Sequence, residues 1–321
     1  MPVWLPALLL ELTPPAELVA AAASGARPVA CRPHAGGEPT LWTRARPPEI
    51  VLACRELANA ETRLGTEPAV ALELAKAASA TTETASAAKL VWGRALFRLG
   101  HVQEAWAVLA PFAAENAPPL DDAPALFDVA RTALAAGALD AAERAYRLLV
   151  PRAVLLGSLQ AERVAVVEAA SLALARGPNG VETALGYLET ARAIPLAGDR
   201  DIIFALTALA LDRAGRSEQA RAAAREAEGP WDLESELTPA ERARVAEAAL
   251  TPSGDLTPSP APIGPSRIML LDGELHAAIA MLALGRDEAL RRAHWRAFLA
   301  SGAGRGPWAE HARHALAKGA R

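Results

Sequence analysis

Residues 93–118 read GRALFRLGHVQEAWAVLAPFAAENAP: a helix-forming run, a glycine at 100, a second helix-forming run and a closing proline. The phrase returns as ARTALAAGALDAAERAYRLLVP over 130–151 and as ALTALALDRAGRSEQARAAAREAEGP over 205–230. Glycine ends a helix cheaply because it enters the left-handed region without a Cβ clash. Proline stops the following helix because it bars the residue before it from helical geometry. Each phrase therefore predicts a helical hairpin, and the recurrence predicts that hairpins stack.

Aligning on a glycine followed five residues later by alanine pairs Gly100 with Ala105, Gly137 with Ala142 and Gly215 with Ala220. Gly177 and Ala184 fit when the turn PNG adds two residues. The glycines recur at intervals of roughly 37 to 40 residues, a two-helix period. Small residues also recur in the first helices, at Gly93, Ala130, Ala170 and Ala208, where close contact with the partner alanine is expected. Larger side chains follow on the second helices: Leu109 and Phe112, Tyr146 and Leu149, then Leu188, spaced to share a face. Prolines at 118, 151, 195 and 230 end or redirect the chain.

Composition agrees. Just over half of the 321 residues are apolar, but that mass is mostly Ala and Leu, with few of the aromatic residues that favour strands. An all-α chain is expected. The net charge of −4 argues against polyanion binding, which calls for a basic face. No apolar run reaches the roughly 18 residues that span a bilayer.

The segment W-G-x-A-L-F-x-L-G-x-x-x-E-A, Trp92 to Ala105, resembles the tetratricopeptide repeat family, as does the repeat from Phe127 with Tyr146 in the aromatic position. The repeat around Ala208 has Ala224 there instead, and the period exceeds the family's usual one. The resemblance covers roughly residues 50 to 230. It implies a right-handed α-α superhelix of stacked antiparallel hairpins whose concave surface, lined by the first helices, binds a peptide or a partner helix. On that surface the arginines of the first helices are the candidate contacts: Arg94 and Arg98 at i and i+4, Arg131 beside them as a carboxylate clamp, and Arg213.

Four regions follow: an N-terminal segment 1–46, a repeat domain 47–250 opening with a hairpin that turns at Gly65, a Pro-rich linker 251–266, and a C-terminal hairpin with a capping helix over 267–321. Thr238, Pro239 and Glu241 mark the start of a further helix before Pro252. The first thirty residues loosely resemble a secretory signal, although Glu11 and Glu17 interrupt the apolar stretch and no basic residue precedes it. Cytoplasmic and exported locations are both open on this reading. Cys31 and Cys54 could form a disulfide in an oxidising compartment, remain as two thiols, or offer Cys31 to a lipid anchor.

No nucleophile elbow, Walker loop or strand-linked dinucleotide motif is present, so no enzyme and no cofactor are expected. The expected activity is that of a noncatalytic protein-binding scaffold, with no nucleic-acid partner. The alternatives are an accessory protein with a metal or small-molecule site at His294, Glu310, His311 and His314, and a structural envelope lipoprotein.

Overall fold

In the computed structural model, which describes residues 28–31, 47–117, 120–196, 200–227, 268–271 and 273–318, every regular element is helical. Among these residues no strand is present, and the helices pack consecutively. The expected helix after Thr238, the linker 251–266, the closing prolines 118 and 230, and most of segment 1–46 lie outside the described residues. The chain divides into two compact units, Met1–Ala145 and Tyr146–Arg321.

The first unit contains α1 (Pro48–Arg63), α2 (Pro68–Ala78), α3 (Thr82–Arg98), α4 (Val102–Leu109), α5 (Ala123–Ala135) and the beginning of α6 (Leu139–Leu149). Proline occupies the first position of α1 and α2, where no intrahelical donor is lost. Helices α1 to α5 each pack on the next, and α1 and α5 also pack on α3. The core of α1–α3 is a seam of alanines with Leu57, Leu64 and Val91 set into it, and Trp92 packs on its edge.

The second unit runs from the end of α6 through α7 (Leu159–Ala175), α8 (Val181–Ala193), α9 (Arg200–Arg213), α10 (Ser217–Glu226), α11 (Glu274–Leu282), α12 (Glu288–Ala300) and α13 (Ala309–Lys318). Its core is richer in large side chains, with Leu206, Ile279, Trp295 and Phe298 at the centre.

The repeated phrase becomes a repeated set of backbone bonds. Gly100, Gly137 and Gly215 all take positive φ, between 76° and 83°. In each hairpin the glycine N–H donates three residues back, to Phe97, Leu134 or Asp212, and the next residue's N–H donates five back, to Leu96, Ala133 or Leu211. This pair of bonds satisfies the last carbonyls of the first helix. Ala105, Ala142 and Ala220 each donate to the carbonyl of the residue just after the glycine, which starts the second helix. All three alanines are completely buried, as are Ala130 and Ala208. Gly93 differs from expectation: the atom that needs its missing Cβ is the Leu109 side chain of α4, not an alanine.

Within the second unit two helix pairs keep step. Arg216 and Glu226 at the two ends of α10 pair with Glu182 and Arg192 at the corresponding ends of α8, so α8 and α10 run parallel. Arg163, near the start of α7, donates to the carbonyls of Ile194 and Leu196, which lead into α9, so α7 and α9 are parallel too.

The expected C-terminal hairpin turns at Gly285, but its first helix does not continue that direction. Arg213, the last residue of α9, holds Glu274, the first of α11. Arg286, just past α11, donates to the carbonyls of Arg225 and Ala227 at the end of α10. Helix α11 is therefore antiparallel to α9. Helix α11 thus begins beside the end of α9 and finishes beside the end of α10.

Candidate functional site

The four arginines expected to line a binding groove are used largely inside the fold. Arg94 Nε and Arg98 from α3 both donate to Asp128 Oδ2 of α5, at 2.8 and 3.1 Å. Arg94 also lies 3.9 Å from Asp122. Two cations thus converge on a carboxylate that belongs to this chain, and Arg131 is not one of them. Arg131 is buried with its guanidinium 5.3 Å from the Phe127 ring centroid.

Arg213 makes a two-pronged pair with Glu274 at 2.8 and 3.1 Å, its side chain 0% exposed, and its guanidinium sits 4.6 Å from the Trp308 ring centroid. Burial of Arg131 and Arg213 withdraws both from a solvent-facing groove, which corrects the expectation for those two. The reason is physical: a planar guanidinium is the cation best suited to a dry, bidentate, ring-stacked setting.

The four C-terminal groups proposed as metal ligands do not meet. His294 on α12 faces His276 on α11, with Nδ1 to Nδ1 at 3.3 Å. His311 pairs through Nε2 with Asp212 at 2.8 Å, while Glu310 and His314 are exposed on α13. Among the described residues no group of three or more His, Cys, Asp or Glu is placed to hold a metal ion. Burial, and then the neighbouring His276, push the His294 pKa down to about 3. A neutral ring at that position can share one proton with its partner, one ring donating and the other accepting.

Trp308 is buried, and its indole N–H donates to the Leu174 carbonyl at 2.6 Å. Cys31 and Cys54 are joined in a disulfide with Cα atoms 5.3 Å apart, tying residues 28–31 to α1. The bond leaves no sulfur at Cys31 for a lipid anchor and rules against the reading of two free thiols.

Besides Asp128, Glu274 and His276, two further features were missed in the sequence. Glu168, in the middle of α7, is fully buried; its Oε2 accepts from the Tyr146 hydroxyl at 2.7 Å and its Oε1 from the Met269 backbone N–H at 2.7 Å. The other is an apolar surface between α6 and α7. Val154 and Leu155 are 68% and 60% exposed, with Leu148 and Leu159 at 46% and 44% beside them in the chain. The run VLL at 154–156 was its visible signal, masked by a composition in which leucine is common everywhere.

No helix among the described residues is long and apolar enough to cross a membrane. Compared with known proteins, the chain matches no family model, and no curated protein or solved structure matches it.

Proposed function

We propose that the protein is a noncatalytic scaffold, a tetratricopeptide-like superhelix of stacked hairpins that holds a segment of a partner protein. The three identical glycine turns and the parallel pairs α7/α9 and α8/α10 support the stacking. The observation that carries the function is the exposed aliphatic surface of residues 148–159. Large aliphatics exposed together on a water-soluble face mark a contact surface, because leaving them wet forfeits about 25 cal/mol per Å² of burial. The inward-facing charges support the same reading: Arg213, Glu274, Asp128 and Glu168 are matched with groups of this chain.

Location enters through the disulfide. Such bonds persist in oxidising compartments, so the Cys31–Cys54 bond favours an exported protein over a cytoplasmic one.

The test is site-specific photo-cross-linking at Leu155 in the native host, with exposed Glu189 as the control position. One discrete adduct at 155, lost in Val154→Asp, is expected. Substitution at so exposed a site should leave stability within about 0.5 kcal/mol. Equal cross-linking at 155 and 189 counts against the scaffold.

A further inference from the structure

Residues Ile268–Leu271 belong to no helix, yet they are fastened to one. The Met269 N–H donates to Glu168, 101 positions earlier, while Ile268 and Leu270 on either side both pack against the core of the second unit. Ile268 and Leu270, one on each side of Met269, are thus held against the core as a pair. A carboxylate is costly to bury and stays there only when its oxygens are supplied with donors. Tyr146 supplies one oxygen from within the repeat, and a backbone N–H supplies the other. That is how extended peptides are recognised elsewhere: a main-chain hydrogen bond gives the hold, and flanking side chains give the selectivity.

We propose that the surface formed by Tyr146 of α6 and Glu168 of α7 is a binding site for an extended aliphatic peptide, filled in this chain by its own residues 268–271. The ligand it fits has aliphatic side chains at alternate positions and any residue but proline between them. The inference rests on the scaffold reading and names the chemistry of one of its surfaces. The segment is separable from the helices that follow it. Helices α11 and α12 have their own anchors in the Arg213–Glu274 pair and in Arg286 on the end of α10.

The experiment uses the full chain carrying Met269→Pro, which deletes the one N–H, and Met269→Ala, which keeps it. The probe is a fluorescent peptide of sequence RIMLLDG, residues 267–273, read by anisotropy. Met269→Pro should bind it at least tenfold more tightly than the wild type and Met269→Ala, in which the site is already filled. A peptide with proline at the central Met should bind to none of them. Equal binding by all three proteins, or binding of the proline peptide, overturns the proposal. Should Met269→Pro fail to fold, hydrogen exchange on the wild type decides. Saturating peptide must speed exchange of the Met269 amide, and an unchanged amide overturns the site. A site that binds peptide while cross-linking at Leu155 finds nothing separates this proposal from the scaffold surface.

Discussion

At the scale of single residues, several buried polar groups face one another in pairs, and His294 shows what such a pairing implies for pH. Its ring is fully buried against His276 and stays neutral down to about pH 3, whereas an unfolded chain takes up that proton near pH 6.5. Between those values the unfolded state binds more protons than the folded one, so stability falls as pH is lowered. Its contribution is fully present above pH 6.5 and declines from there toward pH 3. From pH 7 to pH 5 this single group should cost about 2 kcal/mol. His294→Asn, whose side-chain amide can stand where Nδ1 does but does not titrate, should flatten that slope. Urea titrations of both proteins at pH 7 and pH 5 measure it, and equal slopes would exclude His294 as the source.

At the scale of helices, the hairpins rest on very small side chains. Gly93 of α3 faces Leu109 of α4, and a Cβ there would overlap the leucine, with Cδ2 only 2.6 Å away. Replacing glycine by alanine inside a helix normally gains about 1 kcal/mol. Overpacking a buried site costs about 1–3 kcal/mol, and Leu109 has no exposed side on which to retreat. Gly93→Ala should therefore be a net loss of about 1 kcal/mol, and Leu109→Val should recover part of it in the double variant. Additive losses in a denaturation cycle would mean that the two helices move apart instead. The hairpins were legible in the sequence because everything that makes them is local: Gly100, Gly137 and Gly215 each bond within a few residues of themselves. Asp128 was hidden for the opposite reason. Its partner Arg94 lies 34 residues away, close to one repeat less one helical turn, and the match has meaning only once α3 and α5 are known to lie together. Glu274 lay further out of reach, because its pairing with Arg213 depends on α11 entering from the opposite end. No local pattern in α11 encodes that reversal.

At the scale of the molecule, the two units differ in how their ends are secured. The second is closed by side chains: Trp308 reaches the end of α7 and Arg213 grips α11, so its last helices are bound into its own core. Among the described residues, the first is secured at its leading helix by a covalent bond. Its leading helix α1 presents Val51 and Leu52 to solvent and is joined to residues 28–31 by the Cys31–Cys54 bond. A helix with large apolar side chains turned to solvent is among the easier places for local opening to begin. Cross-linking a loop of this size removes about 3 kcal/mol of unfolded-state entropy, in the chain-entropy account. Reduction should therefore be felt at one end and not throughout. With tris(carboxyethyl)phosphine present, amide protection in α1 and α2 should fall by up to about a hundredfold, since 1.4 kcal/mol is a factor of ten. Protection in α7 to α12 should not change. Uniform loss across both units would show that the bond supports the whole chain, and no loss in α1 would show that the helix holds without it. The first pattern alone fits a bond whose task is to fasten α1 within its unit, and such a task is useful only where the bond stays oxidised.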